Sequence, residues 1–280
     1  MRVADYSNLH SFYPSKLRIL NALHVLGIVA LIGLAAFAAI WLLARRTEYT
    51  MVQYLLDRLA FILLRFVWKT KTPCGLPLSR TDGAVIVANH RSSVDPFFIH
   101  RAAKRRVRWM VAREYCENKW FGWFLYETGA IPTRRGGIDN ASVREAVRLL
   151  QSGCWVGVLL EGRINQTDEV LLPVRPGAAL LARKAGVPIL PVYIEGAPFN
   201  GTVTSPFFMR ATVDIYLGEL IYPEAFDSDQ AMILAAAKEI ARLAGHPEFE
   251  PKLAGKQWKT GNSEVDTPTN SDTNSSHPEN

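Results

Sequence analysis

Residues 84–96 have the sequence Ala84-Val85-Ile86-Val87-Ala88-Asn89-His90-Arg91-Ser92-Ser93-Val94-Asp95-Pro96, a short apolar run followed by a polar turn. Five apolar residues bounded by polar ones predict a buried strand. Pro96 suits the first turn of a helix, and Ser92 or Ser93 is a candidate cap for its start. The stretch therefore predicts a strand, a tight turn and a helix, with His90 at the carboxyl end of the strand.

His90 and Asp95 are candidates for a general-base pair. Open α/β sheets bind their ligands at the carboxyl ends of strands, which is where His90 is expected. Asp95 follows five residues later, so a tight turn can return its carboxylate to the imidazole. A carboxylate on one ring nitrogen fixes the tautomer and leaves the other nitrogen to accept a proton. The alternative is a helix-capping turn with a structural histidine.

The same stretch contains no evident nucleophile. Ser92 and Ser93 lie on the helix side of the turn, and no Gly-x-Ser-x-Gly pattern surrounds them. A base without a protein nucleophile would activate a hydroxyl group of the substrate. This suits transfer of an acyl group from an activated donor such as a thioester, with backbone amides near Ser92 and Ser93 as candidates for stabilising the oxyanion.

From Gly83 onward, short apolar runs alternate with helical patterns, which predicts an α/β sheet. We expect strands at residues 84–88, 107–112, 155–160, 187–194 and 211–221, and helices at residues 139–152, 178–185 and 228–244. The aromatic stretch 120–126 is either core or, if exposed, an acyl-chain groove or lipid contact.

The segments before this domain indicate membrane association. After an N-terminal segment at residues 1–20, residues 21–46 contain an apolar run of about bilayer-spanning length, which predicts a transmembrane or re-entrant helix. Arg45 and Arg46 favour the cytosol for its C-terminal side. Residues 47–72 predict an amphipathic helix, either at the membrane interface or packed on the core.

The remaining boundaries and the composition define the class of protein. Residues 73–255 form the expected catalytic domain, and residues 256–280 are too polar to fold and predict a disordered tail. The net charge of +6 and 49% hydrophobic residues are compatible with an anionic membrane surface. No run of basic and aromatic residues indicates nucleic-acid binding. The three cysteines are scattered without metal-ligand spacing, which is typical of reduced cytosolic thiols.

Two further segments contain candidate anion ligands. Arg134 and Arg135 end an apolar run and precede two glycines, so they form either an anion clamp or a solvated basic loop. Glu161, Gly162 and Arg163 follow a predicted strand. Gly162 permits close backbone approach, Arg163 can grip a phosphate, and Glu161 can position Arg163 or a substrate hydroxyl.

Asn89-His90-x-Ser92-x-x-Asp95 resembles the first motif of glycerolipid acyltransferases of the 1-acylglycerol-3-phosphate acyltransferase (PlsC-like) type. The resemblance implies a mixed central sheet flanked by helices. It also implies His90 as general base and Asp95 as its orienting partner, with Asn89 and Ser92 in support.

Three later segments also resemble motifs of this family. Residues 129–134 resemble the second motif, which implies Arg134, with Arg135 in reserve, as a phosphate ligand. Residues 161–163 resemble the third motif, Pro-Glu-Gly-Thr-Arg-Ser, which implies that Glu161, Gly162 and Arg163 form the phosphate-binding edge. The match is imperfect: Leu160 replaces the proline, the threonine is missing and Ile164 follows the arginine. Residues 187–192 resemble the fourth motif, to which we assign packing.

The resemblance implies a membrane-bound acyltransferase of phospholipid biosynthesis. It would move a fatty acyl chain from acyl-CoA or acyl carrier protein to the 2-hydroxyl of lysophosphatidic acid, giving phosphatidic acid. We expect no metal and no cofactor beyond the thioester co-substrate, and a catalytic domain on the cytosolic face of the cell membrane. The alternatives are another lysolipid or glycerol 3-phosphate as acceptor, a hydrolase, or a catalytically inactive membrane-binding homologue.

Overall fold

The computed structural model describes residues 13–47, 49–73, 77–79, 81–119, 121–134 and 139–255. The chain divides between Leu63 and Leu64 into two compact units. The predicted tail at residues 256–280 and the reserve ligand Arg135 lie outside the described residues.

The first unit contains two helices, α1 (Tyr13–Ala44) and α2 (Met51–Ile62). Residues 20–44 of α1 have a mean hydropathy of 2.6, so their length and composition suffice to cross a bilayer. A capping box starts α2: the Thr50 hydroxyl accepts the Gln53 amide, and the Gln53 side chain accepts the Thr50 amide. A single π-helical turn, Leu63–Val67, follows α2.

The second unit is a six-stranded mixed sheet flanked by helices, as predicted. In chain order its elements are β1 (Ala84–Ala88), α3 (Asp95–Ala103), β2 (Val107–Ala112), α4 (Arg113–Cys116), α5 (Gly122–Thr128), β3 (Ile131–Thr133), α6 (Asn140–Gln151), β4 (Trp155–Leu159), α7 (Gly177–Ala185), β5 (Ile189–Glu195), β6 (Asp214–Leu217) and α8 (Asp229–Leu243). The strand order is β3-β2-β4-β1-β5-β6. The first five strands in this order are parallel, and β6 is antiparallel to β5.

Helices cover both faces of β1, which explains its unbroken apolar sequence. All five β1 residues are buried. Val85 and Val87 belong to the core that includes side chains of α6, α7 and α8. Ile86 points to the other face, where it lines a small cavity with Ile99 and Ala103 of α3. Because β1 lies in the middle of the sheet, the turn that follows it is held between neighbouring strands.

Most predicted elements are present, with shorter limits at the sheet edge. The last strand covers Asp214–Leu217 rather than residues 211–221, and the short strand β3 was not predicted. The predicted serine cap of α3 is wrong: Val94 occupies the cap position without a side-chain bond, although Pro96 lies in the first turn as expected. In the aromatic stretch, Leu125 is buried, as a core residue would be, while Tyr126 is exposed.

Candidate active site

The sheet brings the ends of β1 and β4 together. These strands are parallel neighbours, with Ala88 opposite Leu159. The segments that begin at Asn89 and Leu160 therefore leave the sheet side by side, and the Leu160 amide donates to the Ala88 carbonyl at 3.1 Å. The site predicted from two separate motifs is thus one continuous edge of the sheet.

His90 and Asp95 form the predicted pair. His90 Nδ1 lies 2.9 Å from Asp95 Oδ2. The backbone amides of Arg91 and Ser92 donate to the same oxygen, each at 2.8 Å, and the Asp95 side chain is completely buried. Asp95 Oδ2 already accepts two backbone amides, so it also acts as an acceptor toward the imidazole and holds the ring proton on Nδ1. Nε2 is then the nitrogen that can accept a proton from a substrate.

The two serines of the turn are bonded to main-chain oxygens. Ser92 Oγ donates to the Pro198 carbonyl at 2.5 Å, and Ser93 Oγ donates to the Val203 carbonyl at 2.6 Å. Neither hydroxyl is paired with His90 in these bonds. Of the amides expected to stabilise the oxyanion, that of Ser92 is already bonded to Asp95.

Asn89 fixes the turn to the opposite neighbour of β1. Its Nδ2 donates to the Ile194 carbonyl at 2.9 Å, and its Oδ1 accepts the Ile194 amide at 2.8 Å. The side chain thus continues the pairing between β1 and β5 by one residue, and it is fully buried. An amide, with one donor and one acceptor group, suits this position.

Glu161 occupies a different place from the predicted one. Its Oε1 accepts the His90 amide at 2.7 Å, and its Oε2 accepts the Leu172 amide at 2.9 Å. Only 1% of the residue is exposed, and burial raises the pKa of its carboxyl group despite the two amide donors. Glu161 therefore binds the backbone of the turn that contains His90, and its carboxylate oxygens accept backbone amides instead of facing a phosphate.

Gly162 and Arg163 follow at the surface of the same edge. Gly162 is exposed and has φ +67°, a conformation that glycine adopts without strain. Arg163 is half-buried. A methyl group at residue 162 would lie 3.8 Å from Nε of Arg175, so a second arginine lies beside this segment. Arg175 was not among the predicted site residues. Its position just before the Pro-Gly pair that opens α7 is the sequence feature that could have indicated it.

Arg134 lies at another part of the sheet edge. It follows β3, which is separated from β4 by β2. With strands about 4.8 Å apart, the ends of β3 and β4 are about 10 Å apart. Arg134 is exposed, and its amide donates to Asp139 Oδ2 at 3.3 Å. The structure therefore places the segment that contains Arg163 beside the turn that contains His90, and it places Arg134 at the far side of the same edge.

Among the residues that the structure describes, no group of three or more His, Cys, Asp or Glu side chains could hold a metal ion. The geometry of the described edge consists instead of one histidine–carboxylate pair, one buried glutamate and several arginines.

Comparisons with known proteins indicate the class of enzyme that this chain resembles. Residues 75–195 match the family described as Acyltransferase. The 1-acyl-sn-glycerol-3-phosphate acyltransferase of Bacillus subtilis (strain 168) is 26% identical over 177 residues, which are 63% of this chain and 85% of that protein. An N-acylphosphatidylethanolamine synthase of Arabidopsis thaliana is 32% identical over 136 residues, which are 44% of this chain and 46% of that protein.

A solved structure shares the fold. The crystal structure of the 1-acyl-sn-glycerophosphate acyltransferase PlsC from Thermotoga maritima superimposes with a TM-score of 0.57 at 19% sequence identity. The superposition covers 86% of this chain and 99% of that one. At this identity the likeness supports the fold, while the family match and the sequence relatives support the class of enzyme. The chain is an acyltransferase, and its matched domain resembles the glycerolipid acyltransferases of the PlsC-like type.

Proposed function

We propose that the protein is a membrane-bound acyltransferase that moves a fatty acyl chain from acyl-CoA or acyl carrier protein to the 2-hydroxyl of lysophosphatidic acid. The observation that carries the proposal is the pairing of His90 Nδ1 with the buried Asp95 carboxylate at 2.9 Å. The neighbouring hydroxyls of Ser92 and Ser93 are bonded to carbonyl oxygens. This arrangement supplies a base and no activated serine, so the acceptor itself must be the nucleophile.

In the proposed reaction, Nε2 of His90 takes the proton of the acceptor hydroxyl as its oxygen attacks the thioester carbonyl. The tetrahedral intermediate then expels the thiolate, which receives the same proton from the imidazolium. Asp95 stabilises the imidazolium between these two steps. The bond to oxygen replaces the bond to sulfur, and the products are an ester and a free thiol.

Arg163 and Arg134 are the proposed ligands of the acceptor phosphate. Arg163 follows Gly162 directly, next to the turn that contains His90, and its guanidinium matches phosphate in fork geometry. Arg134 follows β3, about two strand spacings from β4, and in this proposal it contacts the phosphate from the β3 side. Binding energy at the phosphate would position the 2-hydroxyl against His90.

The test is thiol release from palmitoyl-CoA by membranes that contain the protein, with and without lysophosphatidic acid, together with detection of phosphatidic acid. We expect release that depends on lysophosphatidic acid and an equal amount of phosphatidic acid. Release without any acceptor would indicate a hydrolase. No release from either palmitoyl-CoA or palmitoyl-acyl carrier protein, with any lysolipid or glycerol 3-phosphate, would overturn the proposal and favour an inactive membrane-binding protein.

A second candidate keeps the base and the thioester donor and changes the nucleophile to the amine of an ethanolamine phospholipid, so that the product is an amide in place of an ester. Two observations favour it: the match to the N-acylphosphatidylethanolamine synthase, and the departure of Glu161-Gly162-Arg163 from the third motif of the family. An acceptor panel separates the candidates. Lysophosphatidic acid giving the highest kcat/KM supports the first, and an ethanolamine lipid giving the highest value supports the second.

The apolar helix α1 supports the membrane-bound part of the proposal, since residues 20–44 are long and apolar enough to cross a bilayer. Arg45 and Arg46 follow this segment, so we place the catalytic unit on the cytosolic face of the cell membrane. Alkaline carbonate should leave the protein in the membrane pellet, and protease added to sealed, right-side-out vesicles should leave the catalytic unit intact.

A further inference from the structure

Arg91, the residue after the catalytic histidine, is bonded to a loop that follows β4. Its Nη1 donates to the carbonyls of Asn165 and Thr167 at 3.3 and 2.5 Å, and its Nη2 donates to the carbonyl of Glu169 at 2.6 Å. A guanidinium has fixed, forked donors, so three carbonyls around it define the shape of that loop. Since these donors point into carbonyl oxygens, they do not point to a substrate phosphate.

Asn165 closes the same arrangement from the loop side. Its amide donates to the His90 carbonyl at 2.7 Å, and its Nδ2 donates to the Glu169 carbonyl at 2.9 Å. Its Oδ1 accepts the amide and the hydroxyl of Thr167 at 3.0 and 2.8 Å. Asn165 is 3% exposed, so these bonds form in a buried environment. We call Arg91, Asn165, Thr167 and Glu169 the clasp.

Glu161 and the clasp residue Asn165 lie on the two sides of Arg163 in the sequence. Two residues before Arg163, Glu161 accepts the amide of His90, and two residues after it, Asn165 donates to the carbonyl of His90. The residues on either side of Arg163 are therefore bonded to the backbone of one residue, the proposed base: Glu161 through its side chain and Asn165 through its backbone amide. This ties the position of Arg163 to that of His90 although the threonine of the family motif is missing.

We infer that Arg91 and Asn165 are positioning residues for the acceptor, and that they act by holding Arg163 at a fixed place relative to His90. The inference rests on the proposed function, because it takes the phosphate of a lysophospholipid as the ligand of Arg163. Arg91 is not a phosphate ligand in this account. Loss of the clasp moves the phosphate site away from the base, so it weakens acceptor recognition more than it weakens the reaction of the thioester.

The test compares full-length wild-type protein with Arg91→Lys in detergent-solubilised membranes, with palmitoyl-CoA and lysophosphatidic acid. Lysine keeps the charge but has no fork to reach three carbonyls. We expect the KM for lysophosphatidic acid to rise about tenfold or more, since bonds between a charged donor and carbonyls are lost, while the KM for palmitoyl-CoA stays within about twofold. Arg144→Gln, an exposed arginine on α6, is the matched control and should change neither constant.

A double-mutant cycle with Arg163→Gln shows whether Arg91 acts through Arg163. If it does, Arg91→Lys should have little further effect on the KM for lysophosphatidic acid once Arg163 has been replaced. Equal effects of Arg91→Lys in both backgrounds, or an unchanged KM in the single variant, would overturn the inference.

Amide hydrogen exchange separates this failure from failure of the proposed function. If wild-type protein transfers no acyl group to lysophosphatidic acid, the proposed function is wrong. The clasp is still tested, because Arg91→Lys should then speed exchange at the amides of Asn165 and Leu172 relative to Arg144→Gln. Unchanged exchange at both amides would show that Arg91 does not hold the loop.

Discussion

The turn after β1 and the segment after β3 both end parallel strands at the same sheet edge, yet they are built differently. In the first, Ser92 and Asp95 are fully buried and bonded to other parts of the molecule or to the turn itself. In the second, Arg134 is exposed, and its amide bonds only five residues along the chain to Asp139. The proposed base is therefore held in place by buried bonds within the fold, whereas the proposed anion ligand Arg134 lies exposed.

The largest effect is expected from replacement of His90, the proposed base in the turn after β1. His90→Ala should lower kcat for acyl transfer by about 10²- to 10⁴-fold, the usual contribution of a general base. Asp95→Asn should also lower kcat strongly, because it removes the charge that holds the imidazole tautomer. The measurement is acceptor-dependent thiol release at saturating substrates.

His246→Ala is the control for this pair, since His246 is exposed on the segment after α8. It should keep wild-type kcat. If His90→Ala turned over at the wild-type rate with folded protein, the buried pair would be structural and the proposed mechanism would be wrong.

A second prediction compares Arg163, beside the turn after β1, with Arg134, after β3, by their effects on the KM for lysophosphatidic acid. Arg163→Gln should raise the KM for lysophosphatidic acid by about 10- to 100-fold, as expected for a charge-assisted contact to phosphate. Arg134→Gln should raise it by less, because an exposed side chain loses more freedom on binding and its contact is better screened. Steady-state kinetics with varied acceptor gives both values, and a larger effect at Arg134 would reverse the comparison.

Glu161→Gln should destabilise the turn after β1, because Glu161 accepts the backbone amide of His90 in that turn. Glutamine has one acceptor oxygen where the carboxylate has two, so its amide group would face the amide of His90 or Leu172. A buried donor without a partner costs about 1–3 kcal/mol. Denaturant unfolding of the detergent-solubilised protein should show this loss, with a fall in kcat as the turn loosens.

The stability of wild type relative to Glu161→Gln should also depend on pH. Burial raises the pKa of the Glu161 carboxyl group in the folded protein above its usual range. The folded state therefore holds this proton more tightly than the unfolded state, and the resulting stabilisation is present below the usual pKa and lost as pH rises through the raised one. The free energy by which wild type is more stable to unfolding than Glu161→Gln should be largest at acid pH. A difference that grew as the pH rose would contradict a raised pKa of Glu161.

The smallest expected effect concerns Gly162. Its φ of +67° costs an L-residue about 1–2 kcal/mol, so Gly162→Ala should lower stability by this amount. The added methyl group would lie 3.8 Å from Arg175, an ordinary contact, so no steric clash is expected. Gly177→Ala is the control, because that glycine has open space around it. Equal stability of both variants would show that the backbone at residue 162 relaxes.

The sequence predicted the central strands well because helices cover both sheet faces there. β1 and β2 have the expected limits, since a buried parallel strand needs a continuous apolar run. The edge was harder: β3 is three residues long and contains a proline, so it shows no periodicity. The last strand is shorter than its alternating pattern, because alternation marks exposure of one face and does not mark where pairing ends.

The site was predictable where a side chain acts locally. His90 and Asp95 are five residues apart, and a tight turn was enough to join them. The roles of Glu161 and Arg91 were not predictable, because both side chains bind backbone atoms of residues that are distant in the sequence. The His90 amide is 71 residues from Glu161, and the Asn165 carbonyl is 74 residues from Arg91. A charged residue beside a motif suggests a substrate contact, and only the fold shows that its partner is the main chain.

The measurement that tests the central claim most directly is the mass of the intact protein after incubation with palmitoyl-CoA, in the absence of acceptor and then after addition of lysophosphatidic acid. Direct attack by the acceptor, with Ser92 and Ser93 bonded to carbonyl oxygens, predicts no covalently acylated protein at either stage, and phosphatidic acid only after the acceptor is added. A mass increase of one palmitoyl group that disappears on addition of lysophosphatidic acid would contradict the account and identify a protein nucleophile.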